Sequence, residues 1–321
     1  MGSAGLSGSP GEVAGRAPAA APLVLLEGLK PDRSFDTIAC GCSAAATGFL
    51  GRFAALTGGR TCSLLSPQAS RCLASGASLP GIERYETLAV GKDGRIRVEP
   101  LRSLLARPET GDRPSVVLNG AVGPYLCRPL KMGADVVVED LGLWFPPAVL
   151  SACGLEGPCL VASWTGERAG GVLAEAFPHP FRELGEDRDA VLAAGLATLS
   201  MRAQRMSDNA LVAAHYLAAD ERVGWVSYPG LPDDEGNDAA RRVLEHGFGP
   251  YVAFGLADGS LPSGERDDGV FAGAPDAGGA GCDRTVLRRG PLPSSFVVRA
   301  GLESPLDVVA ALDRVVAGSK A

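Results

Sequence analysis

Apolar and polar positions alternate in blocks along the first half of the chain. From Leu23 onward, short apolar runs are separated by longer segments of helical spacing, such as SAAATGFLGRFAAL. The runs have the length of buried strands, and the longer segments repeat every three or four residues, as helices do. The apolar runs are LVLLEGL, DTIACG, TCSLLS and SLPGIERYETLAV. Strands that alternate with helices predict an α/β fold with a mostly parallel sheet covered on both faces.

The centre of the chain adds further strands to this sheet. The runs PSVVLNG and ADVVVEDL each predict a buried strand, and residues 129–133 form the short connection that leads into the second. Residues 157–163 are a further strand candidate. The sequence therefore predicts that the sheet extends through the middle of the chain.

One long helix is predicted in the second half, over about residues 187–219 and broken once. Its apolar positions recur at three- and four-residue spacing. They are Leu192, Leu196, Leu199, Met206, Ala210, Ala213 and Leu217. We expect this helix to join two domains.

The last hundred residues predict a smaller α/β unit. Its strands are VGWVSYPGL, YVAFGLADG and SFVVRAGL, with one helix over residues 238–246. Between the second and third strand, residues 258–282 are rich in Gly, Asp and Pro without an apolar face, which predicts a flexible loop. The final helix, Pro305–Ala317, is amphipathic, and its predicted apolar stripe is Leu306, Val309, Leu312 and Val316.

These elements divide the chain into three parts. Residues 1–22 consist mainly of Gly, Ala, Ser and Pro, which cannot offset the entropy of ordering, so a disordered tail is expected. Residues 23–198 form a large α/β domain. Residues 199–321 form the small C-terminal domain together with its linking helix.

Composition and charge exclude some partners. The 321 residues are 46% hydrophobic and 21% charged, which is enough for a full core. A net charge of −7 and no basic run give no footprint for nucleic acid or anionic lipid. No apolar run approaches the roughly 20 residues of a spanning helix, and the N-terminus lacks a signal peptide pattern. A cytoplasmic protein is expected, without nucleic-acid or membrane partners.

The cysteines and histidines do not form a metal pattern. The eight cysteines are spaced too irregularly for a disulfide scaffold, and most are expected to be buried thiols. Cys40 and Cys42 have half of a metal spacing, but no second pair at zinc spacing follows. His179, His215 and His246 lie far apart and are interpreted as surface or packing residues. No metal site is therefore expected.

Five segments together resemble one enzyme family. The order and spacing are similar to those of the Cys/Met-metabolism family of pyridoxal-phosphate (PLP) enzymes, especially its O-acetylhomoserine sulfhydrylase and cystathionine γ-synthase branches. The segments are PYLCRPLKMGADVVVEDLGLW, LATLSMRAQRMSDNALVAAHYL, VGWVSYPGLP, EHGFGPYVAFGLADG and FVVRAGLESPLDVVAALDRVV. The resemblance implies a fold type I, aspartate aminotransferase-like PLP-dependent transferase that assembles into tetramers from dimers.

The chain departs from this family at the positions that carry its chemistry. Where the family has the lysine that binds PLP covalently, this chain has Leu143, which has no amine. Where the family has the aspartate that pairs with the pyridine nitrogen, this chain has Leu118. The other lysines of the chain, Lys30, Lys92, Lys131 and Lys320, lie in turns, near the chain end or before a strand. None is expected to substitute, so no catalytic residue and no bound PLP are predicted, the cofactor being implied by resemblance alone.

The remaining pocket positions implied by the resemblance are degenerate as well. They are Gly41, Cys42, Ser66, Asn119 and Asp140. The family's arginine for the substrate carboxylate aligns with Val297, which leaves Arg299 two positions on and on the same strand face. Arg299 either replaces that arginine in part or pairs with a surface acid, and the second interpretation is preferred.

Four residues near position 143 are interpreted as structural rather than catalytic. Glu139 and Asp140 are adjacent on a strand and point to opposite faces, so they do not form an acid/base pair. Of the two, one is expected to face the former pocket and the other a helix. Trp144 and Phe145 are expected to fill the space left by the missing cofactor.

Three functions remain open from the sequence. The first is a non-catalytic homologue of O-acetylhomoserine sulfhydrylase that acts as a structural or regulatory partner subunit, in a homo- or hetero-oligomer with a catalytic PLP enzyme. The alternative is an active PLP-dependent sulfhydrylase or γ-elimination enzyme of sulfur amino-acid metabolism. A second alternative is a small-molecule binding protein or new chemistry in a remodelled pocket near Cys40, Cys42, Cys127 and Asp140.

Overall fold

A computed structural model describes the backbone and side chains of a large part of the chain. These residues are 87–99, 101, 105, 115–120, 122–140, 144–146, 148, 194–258 and 284–317. Four further strands are described by their backbone only. The predicted tail at residues 1–22, the predicted loop at 258–282 apart from its first residue, and the site positions Gly41, Cys42, Ser66 and Leu143 lie outside the described residues.

The first part of the chain builds a six-stranded sheet and a small hairpin. Its strands are β1 Phe35–Cys40, β2 Arg60–Leu64, β3 Glu83–Glu86, β4 Ala89–Val90, β5 Ile96–Arg97, β6 Val116–Asn119, β7 Val136–Asp140 and β8 Leu160–Thr165. The order of the large sheet is β1-β8-β7-β6-β2-β3. Strands β3, β2, β6 and β7 are parallel, whereas β8 is antiparallel to both of its neighbours. The prediction of a mostly parallel sheet is confirmed.

The two central strands β6 and β7 form from apolar runs. Every residue of β6 and of β7 is buried, as expected for parallel strands covered on both faces. Helix α1, Gly123–Leu126, follows β6, and a 3-10 turn, Pro129–Met132, leads into β7. Gly133 ends this turn with a φ of 107°, a conformation that favours glycine. The chain thus returns to the start of a parallel strand within ten residues of α1.

The long helix agrees with its prediction where it is described. Helix α2, Leu199–Ala218, is preceded by a helical turn at residues 194–197, and Thr198 separates the two. This is the single break expected from the sequence. The predicted start, at residues 187–193, lies outside the described residues.

The C-terminal part forms an antiparallel sheet of four strands with two helices. The elements are β9 Val223–Ser227, α3 Asn237–Val243, β10 Tyr251–Leu256, β11 Val286–Arg289, β12 Ser295–Arg299 and α4 Pro305–Ala317. The sheet order is β11-β12-β10-β9. Strand β11, with the sequence VLRR, is an element that the sequence did not predict. The division at residues 198 and 199 into two domains stays a prediction.

Two helix predictions need correction. Helix α3 ends at Val243, three residues before the predicted end, because Leu244 is extended and His246 has a φ of 63°. The bounds of α4 are those predicted, but its apolar stripe is different. Leu306 is 79% exposed, and the buried positions are Val308, Leu312, Val315 and Val316. Leu306 lies in the first turn of α4, and the face of the helix that carries Val308 and Leu312 is the one that packs into the core.

Among the described residues, buried apolar side chains gather in two clusters, and α2 contributes to both. The first contains Val117 and Val137 of the large sheet, together with Leu199, Ala203 and Met206 of α2. The second contains the C-terminal half of α2, one face of the antiparallel sheet and α4, with Ala210, Ala213, Leu217, Phe254 and Leu312 among its members. Within the described residues, we find no helix with the length and hydropathy that crossing a membrane requires.

Candidate functional site

The carboxyl ends of β6 and β7 bring two polar side chains together. Asn119 and Glu139 are register partners, and the Asn119 side chain donates from Nδ2 to Glu139 Oε1 at 3.0 Å. Asn119 Oδ1 accepts a bond from the backbone N–H of Val122 at 3.4 Å. Both side chains are buried. In open α/β sheets, the carboxyl ends of the strands are where ligands bind, so this edge is the candidate site.

Glu139 is in an unfavourable environment for a charge. Its second oxygen, Oε2, has no hydrogen-bond partner. Burial raises the pKa of Glu139 from 4.5 to about 8, and the bond from Asn119 opposes this rise without cancelling it. At neutral pH the carboxyl group is therefore mostly protonated. A protonated acid at this position can donate a hydrogen bond rather than act as an anion.

Strand geometry puts Leu118 and Glu139 on opposite faces of the sheet. Leu118 pairs in register with Val138, and Asn119 pairs with Glu139, while successive residues of a strand alternate between faces. Asp140 is two residues beyond Val138 and shares the face of Leu118. The prediction that Glu139 and Asp140 do not form a pair agrees with this geometry. Glu139 cannot take the role of the aspartate that the resemblance places at Leu118, because it lies on the other face.

Trp144 and Phe145 have neighbours different from those expected. Both side chains belong to the cluster that contains Val117 and Val137, so they pack on the face of Glu139 and not on that of Leu118. A Cβ atom at Gly123 would lie 2.9 Å from Trp144 Nε1, which shows how closely the indole approaches the backbone. The interpretation that the two aromatic side chains fill the space of a cofactor is therefore replaced by a packing role in the main core.

Arg202 fixes these aromatic residues to α2. Its Nε donates to the carbonyl oxygen of Trp144 at 2.9 Å, and its Nη2 donates to the carbonyl oxygen of Gly195 at 2.8 Å. The guanidinium group also lies over the ring of Phe145, at 5.3 Å from the centroid. These contacts hold the segment that follows residues 141–143 against the helix. No pattern in the sequence indicated this role, because the partners are backbone carbonyl groups.

The lysines of the described residues lie away from this edge. Lys131 precedes β7, so it lies at the amino end of the strand, and its Nζ is 3.5 Å from Glu245 Oε1. Glu245 also accepts a bond from Arg128 at 2.6 Å. Lys92 lies in the turn between β4 and β5. Neither amine can reach the carboxyl end of β7 from these positions.

Arg299 is buried on β12, opposite Tyr251 and Val286. Its burial does not favour the preferred interpretation, pairing with a surface acid. Val297, two positions earlier, points to the same face and is also buried. A substrate-binding role for Arg299 stays a prediction.

Comparisons with known proteins show which proteins this chain is similar to. The fold is that of PLP-dependent enzymes: "The crystal structure of apo CalE6, a methionine gamma lyase from Micromonospora echinospora" matches 94% of this chain and 86% of that chain with a TM-score of 0.66. The sequence identity is 20%, so this likeness establishes the fold alone.

Sequence comparison gives the more specific result. The family model "Cys/Met metabolism PLP-dependent enzyme" matches residues 183–268. The homocysteine/cysteine synthase of Kluyveromyces lactis is 32% identical over 46% of this chain. The O-acetyl-L-homoserine sulfhydrylase 1 of Thermus thermophilus is 32% identical over 43%. The alignments cover 39% of the length of each relative. The family resemblance drawn from the sequence is confirmed.

The described residues of the candidate site offer no amine to the cofactor of this family. The assignment of Leu143 to the position of the family's lysine stays a prediction, and the described lysines lie elsewhere. Leu118 is 3% exposed and offers only carbon atoms on its face of β6. No reaction step through PLP is therefore derived for this chain.

Proposed function

We propose that this chain is a non-catalytic homologue of the Cys/Met-metabolism PLP enzymes that acts as a structural or regulatory partner subunit of a catalytic family member. The observation that carries the proposal is a contrast within one fold. The framework of the family is present, whereas the positions that would hold the cofactor carry leucines at 118 and 143.

The first argument concerns the missing amine. A PLP enzyme of this family needs a lysine at the carboxyl end of the strand that corresponds to β7, because the amine both binds the cofactor and moves protons. Leu143 can do neither. Lys131 lies at the opposite end of this strand and is engaged with Glu245.

The second argument concerns the pyridine nitrogen. A carboxylate beside this nitrogen keeps it protonated, and the protonated ring withdraws electrons. Leu118 supplies no charge, and the nearby Glu139 lies on the other face of the sheet. Glu139 is also mostly protonated at neutral pH because burial raises its pKa to about 8. The two losses are independent, which supports an absence of catalysis more than either loss alone.

The third argument concerns the packing contacts around α1. The segment around α1 contacts α2 through Tyr125, whose hydroxyl group donates to Gln204 Oε1 at 3.2 Å. The ring of Tyr125 stacks on His246 with centroids 4.6 Å apart. A chain with an intact framework can present the surfaces of its family to another subunit without carrying out the reaction.

The decisive experiment measures covalent attachment of PLP. The purified chain is incubated with PLP, scanned for the absorbance band at about 420 nm that an attached cofactor gives, then reduced with borohydride and weighed by mass spectrometry. A lysine-bearing sulfhydrylase treated in parallel is the positive control. We expect no band and no added mass. A pyridoxyl group on any side chain would refute the proposal.

The partner role needs its own experiment. The chain is co-expressed with a lysine-bearing family member from the same organism, purified by a tag on this chain alone, and analysed by native mass spectrometry. We expect a mixed oligomer of defined stoichiometry. Recovery of this chain without the catalytic protein at micromolar concentration would contradict the partner role while leaving the lack of catalysis untouched.

An active enzyme of the parent type is the second candidate. It is favoured by the relatives, which include sulfhydrylases and cystathionine gamma-synthases, and by Asp140, a carboxyl group on the same sheet face as Leu118. This candidate requires turnover of an O-acylated homoserine with sulfide in the presence of PLP. Asp140→Asn then abolishes that turnover. Absence of turnover in the wild-type chain rules it out.

A further inference from the structure

Two buried polar atoms without partners flank the connection that follows β7. They are Glu139 Oε2, at the end of the strand, and Trp144 Nε1, five residues later. Among the described residues, only Asn209 Oδ1 is in the same condition, and it lies on α2. Buried polar groups without a hydrogen bond are rare in folded proteins because each costs free energy. Two of them at the ends of one short connection call for a common explanation.

Several contacts place the two atoms in one neighbourhood. Trp144 packs in the cluster that contains Val117 and Val137, which is the sheet face of Glu139. The indole nitrogen lies against Gly123, and the N–H of the preceding residue, Val122, donates to Asn119. Asn119 in turn donates to Glu139. The indole group directly, and the carboxyl group through Asn119, are thus both linked to the backbone of residues 122 and 123.

We infer that one buried water molecule bridges Glu139 Oε2 and Trp144 Nε1. An indole N–H can only donate, so it needs an acceptor, and the carboxyl oxygen can donate or accept. Water satisfies both atoms, and a buried water needs two to four polar partners, of which these atoms supply two. A larger ligand is not required by the chemistry, since Asn119 already satisfies the other carboxyl oxygen.

The bridge has a consequence for the residue at its far end. Trp144 directly follows position 143, where the resemblance places the family's lysine. Arg202 bonds the backbone of Trp144 to α2, while the bridge bonds its side chain to β7. Trp144 is therefore held both at its backbone and at its side chain. This inference does not depend on the proposed function.

A double-mutant cycle tests the bridge. Trp144→Phe removes the indole N–H, and Glu139→Met removes the carboxyl group at similar size. If water links the two atoms, each single change leaves the other atom unpartnered, and the double variant is more stable than the sum of the single effects. We expect a coupling of several degrees in melting temperature. Each substitution changes the cavity volume whether or not the other substitution is present, so this contribution cancels in the cycle.

The matched control cycle combines Glu139→Met with Trp225→Phe. Trp225 is on β9 and contacts Gly94 and Gly255, far along the chain from the bridge. We expect the effects of this pair to add, with a coupling below about 1 °C. Equal coupling in both cycles, or none in the first, would overturn the inference.

A measurement on the unmodified protein decides the matter if a variant does not fold. The chain has three tryptophans, so a nitrogen–proton correlation spectrum of the indole groups has three signals. The signal of Trp144 is identified by residue-specific labelling. We expect its indole proton to show cross-relaxation with a long-lived water molecule. An indole proton without any water contact contradicts the bridge.

Discussion

Two buried regions of this protein differ in how they treat polar groups. Where α2 packs against the antiparallel sheet, the Asn209 side chain donates from Nδ2 to the carbonyl oxygens of Gly301 and Glu303 at 2.8 and 2.9 Å. The hydroxyl group of Tyr228, also buried, donates to the carbonyl oxygen of Gly249 at 3.1 Å. Asn209 Oδ1 is the one unpartnered buried atom of this region among the described residues, whereas Glu139 and Trp144 each retain one at the carboxyl ends of β6 and β7.

The two regions also differ in their match to the family model. This model matches residues 183–268, which include α2 and the start of the antiparallel sheet, and does not reach Asn119 or Glu139. The resemblance drawn from the sequence places a lysine and an aspartate of the family at Leu143 and Leu118, and this assignment stays a prediction. The lesson is that a match of the framework to a family does not by itself extend to the candidate site.

The largest expected effect concerns the region that resembles the family. Phe254 is fully buried on β10 and stacks on Phe296 with centroids 5.3 Å apart. We expect Phe254→Ala to lower the free energy of unfolding by about 3–5 kcal/mol through the cavity it leaves. Denaturant titration measures this loss. Leu306→Ala, at a position 79% exposed, is the control and should change stability by less than about 0.5 kcal/mol.

The second effect is a pH dependence that belongs to the site. Glu139 has an ordinary pKa of 4.5, and burial raises the pKa to about 8 in the folded chain. Between these values the folded state binds the proton more than the unfolded state, so stability falls as pH rises. The slope from this group is at most about 1.4 kcal/mol per pH unit.

The matched variant for this pH effect is Glu139→Gln, which keeps the shape and cannot ionise. We expect the difference in stability between wild type and variant to change steadily from pH 5 to pH 8 and to level off above that. Parallel pH profiles of the two proteins would show that Glu139 does not titrate in this window.

A third effect tests how tightly the backbone of α1 approaches the site. Gly123 has a φ of 64°, and an added Cβ would lie 2.9 Å from Trp144. Gly133 has a φ of 107° with nothing within 4 Å of its added Cβ. Because both positions have backbone strain but only one has a clash, we expect Gly123→Ala to lose about 1–3 kcal/mol more than Gly133→Ala. Similar melting temperatures of the two variants would refute this difference.

The smallest effect concerns an ion-pair group in the C-terminal part. Asp220 accepts bonds from Arg222 Nε at 2.8 Å and from its backbone N–H at 3.0 Å. The bonds from Arg222 hold the pKa of Asp220 at about 2, below its ordinary value of 3.8. We expect Asp220→Asn to lower stability by about 1 kcal/mol at pH 7.

The pH dependence of Asp220 has the opposite sign to that of Glu139. A lowered pKa adds stability above pH 4, and this contribution is lost as pH falls from about 4 to 2. Thermal unfolding at pH 7 and pH 2.5 measures it. If the wild type and Asp220→Asn differ equally at both pH values, the ion pair does not account for the effect.

The sequence predicted the elements whose pattern repeats along the chain. The break at Thr198, the buried runs of β6 and β7 and the bounds of α4 all follow from apolar spacing. The stripe of α4 was wrong at Leu306 because an apolar residue in the first turn of a helix need not face the core. Strand β11 was missed because Arg288 and Arg289 occupy half of its four positions.

The site was only partly predictable for a physical reason. The sequence identified residue types, so Leu118 was predicted to stand where the family has an aspartate. It did not reveal that Asn119 bonds to Glu139, since this contact depends on the register of β6 against β7. A signal did exist: each buried run ends in a polar residue, and parallel neighbours end at the same edge of a sheet. No comparable sequence pattern indicated that Arg202 bonds to backbone carbonyl groups.

The position of α2 has a consequence for how this protein denatures. Leu199, Ala203 and Met206 belong to the cluster that extends to the large sheet, and Ala210, Ala213 and Leu217 belong to the cluster under α4. Loss of this one helix exposes both clusters at once. Heat or urea should therefore unfold the two sheets in a single cooperative transition rather than one after the other.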